Sequence, residues 1–471
     1  MEFLFKLLLC SVDPAAAWLA PVNGRLSLPE YTVTLSEDGD MMAPALHQTA
    51  IFSKFSADAI VLSTFFIQPE GQTKSCYYVT AEMLTPASDD IPVGLVAAPQ
   101  GCGVTVDFND PLDRRVFEAW SIDRDTNLGV DIPWAKPGWR QKAAHWIRES
   151  TGQSSVEMIP LRTWQRSTVI AVRHADGTSF FKAVPRMFRR ELSVIECLSR
   201  SHPHHLPRIL ASHPGDCWML MEEIDGVELK DCDEIEVWES AIRHYARLQK
   251  STIGSTASEL RTICPDYTPG QMESQVDSLS IRIQSALDGL ADGVTAQELE
   301  QLASKGDFLK QICKELDNSG LPHVLEHGDF QWRNILIQHG APIFIDWSEA
   351  CITTPFAGMA WFMQEDFLPD WLASESSRER LWQAYTTEWC DYASPGTLSR
   401  LAEISVVFGC LWKLVVSCDY LDGYQSQTQG KALPVESLSG HVIWQEKFEL
   451  AYQTKQLLQL LKTPHTSISS T

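Results

Sequence analysis

The chain has 471 residues, 44% of them hydrophobic and 21% charged, which is the balance of a globular protein and not of a disordered, collagen-like or membrane class. Its 61 acidic against 38 basic residues leave a formal net charge of −23, so it lacks the basic surplus that electrostatic binding of nucleic acid requires. Twelve cysteines without a C-x-x-C pair predict reduced, buried thiols in a cytoplasmic protein, and neither a disulfide scaffold nor a metal cluster.

At about 150 residues per domain the length accommodates roughly three units. The first ten residues carry Glu2 where a signal peptide has a positive cluster, and Lys6 breaks the apolar run, so a strand is expected there. Residues 1–130 form a strand-rich domain of unknown role, with strands at 31–35, 59–67 and 76–80 divided by Gly, Pro and Asp. Residues 131–160 are a linker and helix: Pro/Gly punctuation over 132–139, with Trp134 and Trp139 as pins, then an amphipathic helix over 141–149. From 161 to 226 the pattern predicts a strand at 168–173, a turn at 175–178, a strand at 179–184, a helix at 188–198 and a strand ending at 218–223. The cluster His202-Pro203-His204-His205 reads as a turn, because Pro203 breaks regular zinc-ligand spacing. Residues 227–462 are mainly helical, with a strand pair near 335–347, and 463–471 form a small polar tail. The apolar run from Ile404 to Cys418 contains Lys413 and is shorter than the ~18 residues of a membrane span, so a buried helix is expected and no membrane partner.

The segment from Leu325 to Ile337 (LEHGDFQWRNILI), followed by Ile343-Phe-Ile-Asp-Trp347, carries the chemistry. Phosphoryl transfer from ATP needs a carboxylate to orient and deprotonate the attacking hydroxyl, and oxygen ligands to hold magnesium beside the β- and γ-phosphates. Asp329 and Asn334 lie five apart in a loop running into a strand, and Asp346 ends the next strand. A hairpin turned at 338–342 brings Asn334 and Asp346 to one end, as hard oxygen ligands of the few-ligand kind that magnesium takes. The plainer account is three polar residues capping adjacent strand ends.

His327-Gly-Asp-x4-Asn-Ile-Leu with Ile345-Asp-Trp resembles the signature of the aminoglycoside phosphotransferase/choline kinase family, and the resemblance covers roughly residues 160–420. It implies a bilobal, protein-kinase-like α+β fold behind the strand-rich N-terminal domain. By the resemblance Asp329 is the catalytic base, His327 holds the catalytic loop by hydrogen bonds, and Asn334 and Asp346 bind Mg2+. It also implies that Lys182 meets the ATP phosphates and that a helix glutamate positions the lysine. Glu191 shares a helix face with Ile195 and Leu198, and Glu196 is the alternative. No glycine triplet precedes Lys182, so the turn Thr163-Trp-Gln-Arg-Ser167, with the Ser167 hydroxyl, is the candidate phosphate cover. Glu222, Glu223 and Ile224 correspond to the hinge stretch that binds adenine.

Two departures stand out. Gln249 replaces the family's usual histidine and receives no role, and Gly358 stands where the family usually carries an aspartate that supports the catalytic loop. Two hypotheses follow. One is an ATP- and Mg-dependent kinase acting on a small-molecule hydroxyl; the other is a catalytically weak, pseudokinase-like regulatory or scaffold protein, motivated by Gly358 and by the large extra N-terminal domain. The acceptor region is expected between Asp366 and Tyr424, with Asp366, Asp370, Trp371, Trp382, Tyr385, Trp389, Trp412 and Tyr420, and the acceptor's identity and the oligomeric state stay open.

Overall fold

The computed structural model describes residues 131–462 apart from 137, 164, 291–292, 365–367 and 430–437; before residue 131 it describes chiefly the strands within 2–99 and much of the segment 108–118. The turn residue Trp164, the acid Asp366 and the tail 463–471 lie outside the described residues. Two compact units emerge, one comprising Met1–Arg186, Leu210–Met221 and Tyr424–Trp444, the other Met187–Ile209, Glu222–Gly423 and Gln445–Thr471.

The first unit opens with a seven-stranded sheet of β1 (Glu2–Ser11), β2 (Ala16–Val22), β3 (Arg25–Ser27), β4 (Glu30–Thr34), β5 (Ala59–Ile67), β6 (Cys76–Met83) and β7 (Val96–Pro99). The opening residues form a strand, as read from Glu2 and Lys6, and the strands expected at 31, 59 and 76 are β4, β5 and β6. β1 runs parallel to β6 and antiparallel to β2 and β4. A 3-10 turn at Pro133–Ala135 then leads into α1 (Trp139–Thr151), whose buried face is Trp139, Ala143 and Ile147.

A five-stranded antiparallel sheet follows, built of β8 (Glu157–Thr163), β9 (Thr168–His174), β10 (Gly177–Ala183), β11 (Ile209–His213) and β12 (Trp218–Glu222) in the order β11-β12-β10-β9-β8. Sequence periodicity revealed its three inner strands and missed the two outer ones. β8 is mostly half-buried and bulged between Pro160 and Arg162, and β11 has no fully buried residue, so neither carries a clean apolar alternation. An aromatic corner closes the unit: Trp139 lies edge-on to Trp134 (6.3 Å) and Trp218 (6.0 Å), and Trp146 and Phe181 both pack on Trp218 at 5.7 Å.

In the second unit α2 (Arg190–Ser199) packs against the turn at Trp347–Glu349, and Pro203–His205 forms the expected 3-10 turn. β13 (Val227–Glu228) precedes α3 (Ile235–Ser251), α4 (Ser255–Ile263), α5 (Pro269–Ala286), α6 (Ala296–Ser304) and α7 (Gly306–Asp317). Then come β14 (Val324–Glu326), β15 (Ile335–Gln338), β16 (Ala341–Phe344) and β17 (Cys351–Thr353), followed by α8 (Ala357–Phe362), α9 (Glu375–Thr387), α10 (Pro395–Gln427) and α11 (Leu438–Leu460). The β15–β16 hairpin turns on His339 and Gly340, both at positive φ, the backbone that a tight two-residue hairpin turn demands.

The buried helix expected over 404–418 is present in α10 and is longer than the apolar run suggested. The apolar run 404–418 is only the middle of a 33-residue helix that starts on Pro395, a residue suited to a first turn. By length and composition alone α10 is long enough to cross a membrane, and 83% of its most apolar window is buried inside the protein.

Candidate active site

The loop that leaves β14 is shaped by its backbone. Gly328 adopts φ +88°, and a Cβ there would lie 2.1 Å from the Glu349 carbonyl oxygen, so the position accepts only glycine. Beyond it Asp329 is half-buried, and two side chains hold one of its oxygens: Gln331 Nε2 donates to Oδ2 at 2.7 Å and Asn334 Nδ2 at 3.0 Å. Asn334 Nδ2 also donates to the Asp329 carbonyl at 2.8 Å, which fixes the amide and turns its Oδ1 away. No described hydrogen bond falls on Asp329 Oδ1.

The hairpin does what its spacing required. Ile335 pairs with Phe344, and Ile345 N donates to Asn334 O at 3.0 Å, which sets Asp346 beside the Asn334 end of the loop. Asp346 itself sits at φ +63°, uncommon for a residue with a side chain, and accepts from Ser348 Oγ at 2.7 Å through Oδ1. His327 is fully buried, packs 4.5 Å from the Trp347 ring, and places Nε2 2.8 Å from the Ile345 carbonyl. A carbonyl accepts only, so Nε2 carries the hydrogen; burial lowers the imidazole's pKa and keeps it neutral. His327 therefore braces Ile345, the residue before Asp346, from inside the protein.

Beneath the loop lies a buried polar network that motif reading missed. Glu326, 0% exposed, accepts from Tyr245 Oη and from His327 N (2.9 Å) at Oε1, and from Gln249 Nε2 (3.0 Å) and Gly358 N (3.2 Å) at Oε2. Burial pushes its carboxyl above the ordinary glutamate range, while hydrogen bonds from Tyr245 and from the His327, Gly358 and Gly328 backbone pull it back. Gln249, given no role from sequence, is the hub of this network: its Nε2 also donates to the Leu325 carbonyl at 3.3 Å, and its Oε1 accepts from Tyr385 Oη at 2.6 Å. From the other side Lys413 of α10, 6% exposed, donates to the Gly328 carbonyl, pairs with Glu349 at 3.5 Å and lies over the Trp361 and Trp412 rings. The available signals were a lone acid ending a buried strand and a lone lysine inside an apolar run.

The remaining candidates divide between the units. In the first, Lys182 is 4% exposed on β10 opposite Val169, and Ser167 is 4% exposed beside Thr168, whose own partner is Ala183. Thr163 and Thr168 hydroxyls meet at 2.8 Å across the base of the turn that carries Ser167. In the second unit Glu191 is 1% exposed on α2, whereas Glu196 faces solvent. Along the hinge stretch Glu222 is exposed and paired with Arg208 at 3.0 Å, Glu223 is exposed, and the Ile224 carbonyl accepts from Gly226 N. Of the acceptor-region aromatics, Tyr385, Trp389, Trp412 and Tyr420 are core, Trp382 is half-buried and Trp371 is 41% exposed beside the exposed Asp370. Among the described residues no three His, Cys, Asp or Glu side chains converge to hold a metal, including around His202 and His205, whose rings contact Ser251 and the Pro342 carbonyl.

Comparison with known proteins agrees with the loop. A sequence profile of the phosphotransferase enzyme family (APH) matches residues 161–397, just over half of the chain. No curated protein matches. Among solved structures the chain is similar to an ethanolamine kinase of Plasmodium vivax at 12% identity and a TM-score of 0.47, over 74% of this chain and 94% of that one. It is similar to a choline kinase of Cryptosporidium parvum Iowa II at 12% identity and a TM-score of 0.45, over 68% and 97%. The choline kinase LicA of Streptococcus pneumoniae matches at 13% identity and a TM-score of 0.42, over 66% and 99%. With the profile spanning the Asp329 loop, the hairpin and the strand of Lys182, the chain belongs to the phosphotransferase enzyme family.

Proposed function

We propose that this phosphotransferase moves the γ-phosphate of ATP to a hydroxyl of a small molecule with the help of Mg2+. The observation that carries the reading is the single constellation of Asp329, Asn334 and the hairpin end at Asp346, held by the 3.0 Å Asn334–Asp329 and Ile345–Asn334 bonds. Asp329 is the general base. Its Oδ2 is anchored by Gln331 and Asn334, so Oδ1 is the oxygen that receives the acceptor's proton.

One carboxylate and one amide oxygen, Asp346 and Asn334, fit magnesium, which takes few protein ligands and prefers hard oxygen. When bound, the ion neutralises charge across the β- and γ-phosphates. In the first unit Lys182 supplies a fixed positive charge for the phosphates and Ser167 covers them; in the second the 222–224 stretch takes the adenine. Of the two motives for the pseudokinase-like alternative, the one at Gly358 weakens, because the space there is filled by the Glu326 carboxylate.

Phosphate transfer from ATP to a panel of aminoglycosides, amino alcohols and sugars tests the reading. Asp329→Asn is expected to lower turnover on the accepted compound by about 10²–10⁴-fold with ATP affinity unchanged. Unaltered turnover in that variant would remove Asp329 from the mechanism.

A further inference from the structure

Gly358 and Glu326 contest one volume. A Cβ built on Gly358 would lie 2.0 Å from Glu326 Oε1, 2.3 Å from its Cδ and 2.5 Å from Oε2. The glutamate carboxylate thus sits where a side chain from 358 would have to begin, and it cannot swing aside, being fully buried among donors. Those donors come from separate parts of the second unit: Tyr245 and Gln249 on α3, the His327 and Gly328 backbone in the loop, and Gly358 N in the first turn of α8. The last is one of the N–H groups a helix start leaves without an intrahelical partner. The network continues outward, since Tyr385 Oη donates to Gln249 and accepts from Phe356 N at 3.2 Å. One carboxylate therefore ties the first two residues of the catalytic loop to α3, α8 and α9.

We propose that Glu326 is the residue that positions the Asp329 loop for transfer, delivering from β14 the carboxylate that the family supplies from the opposite wall at position 358. Gly358 is the complement of Glu326: the shift of the acid from one wall to the other requires that the second wall carry no side chain. The inference rests on the proposed phosphoryl transfer for its kinetic readout, and on packing alone for its thermal one.

The test is a reciprocal exchange. Glu326→Ala is expected to lower kcat roughly 10²-fold, the size of effect that a small misplacement of a reacting group produces, with KM for ATP unchanged. Gly358→Asp, which forces a second carboxylate into occupied space, should lower the melting temperature and turnover further. In the double variant Glu326→Ala/Gly358→Asp the new carboxylate meets the vacated donors, so kcat should return to within about tenfold of the wild type and the melting temperature should exceed that of either single variant. A double variant no better than the worse single one in both readouts overturns the exchange, as does a Glu326→Ala enzyme with wild-type kcat. If the wild-type protein phosphorylates no acceptor, the proposed function fails, yet the melting temperatures of the four proteins still decide whether positions 326 and 358 share one carboxylate site.

Discussion

The aromatic corner of the first unit and the loop support of the second do the same structural task with opposite chemistry. In the corner Trp134, Trp139, Trp146, Phe181 and Trp218 fix the linker helix to a sheet through large apolar faces, with Lys142 at the rim, 5.2 Å over Trp218 and paired with Asp216. Beneath the loop Glu326, Gln249, Tyr245, His327 and Lys413 are nearly all fully enclosed, and their polar atoms go to main-chain groups of 325–328, to Ile345, to one another, and to Gly358, Tyr385 and Glu349. Apolar packing is non-directional and roughly proportional to area, so it resists separation but tolerates small rotations. Hydrogen bonds in a dry interior fix angle as well as distance, and an unpaired member is costly. If the proposed function holds, the loop that aims Asp329 gains from the second kind of support, and a linker helix needs only the first.

That contrast breaks most visibly at Lys413. Lys413→Met takes the donor from the Gly328 carbonyl and breaks the pairing with Glu349, which should cost about 3–5 kcal/mol by denaturant unfolding. Turnover should fall in the protein that remains folded, because the carbonyl released belongs to the residue before Asp329. Trp134→Ala is the counterpart in the corner: loss of a 2% exposed indole should cost about 3–4 kcal/mol, while turnover per folded molecule stays within about twofold. If both variants lost stability alone, or both lost turnover, the division between apolar fixing and polar aiming would not hold.

The same division explains what could be read from the sequence. Trp134 and Trp139 were visible as pins because an indole beside Pro and Gly has few other uses, and the alternation of residues 168–173 and 179–184 exposed the inner strands. Asp329, Asn334 and Asp346 were visible because their spacing is that of the family signature the loop resembles. Glu326, Gln249 and Lys413 have no such spacing. Most of their partners are distant in the chain, from 32 residues for Glu326 and Gly358 to 136 for Gln249 and Tyr385, and a glutamate before a histidine has no local signature of burial. Gln249 and Gly358 each read as a lost family residue when taken singly; only their convergence on Glu326 turns two losses into one rearrangement. The outer strands β8 and β11 were missed for a simpler reason, a half-buried face without alternation.

His327 gives the smallest and most specific effect. Burial holds its folded pKa below the ordinary 6.5, so the folded protein keeps the ring neutral while the unfolded chain takes a proton as pH falls past 6.5. The stability that follows from the neutral ring is complete above 6.5 and is lost as pH falls from there toward the folded pKa. Lost in this way, one proton changes the unfolding free energy by about 1.4 kcal/mol per pH unit. His202 and His205 shift in the same direction and Glu326 in the opposite sense, so the informative quantity is a difference between two proteins that both retain them. His327→Gln keeps an N–H for the Ile345 carbonyl and removes the titrating ring. Urea unfolding as pH falls below 6.5 should then show a shallower pH dependence in the variant, with little change above pH 7. Equal slopes would mean that His327 takes its proton without cost in the folded protein, and a ring that does so is not the neutral brace that holds Ile345 and, through it, Asp346.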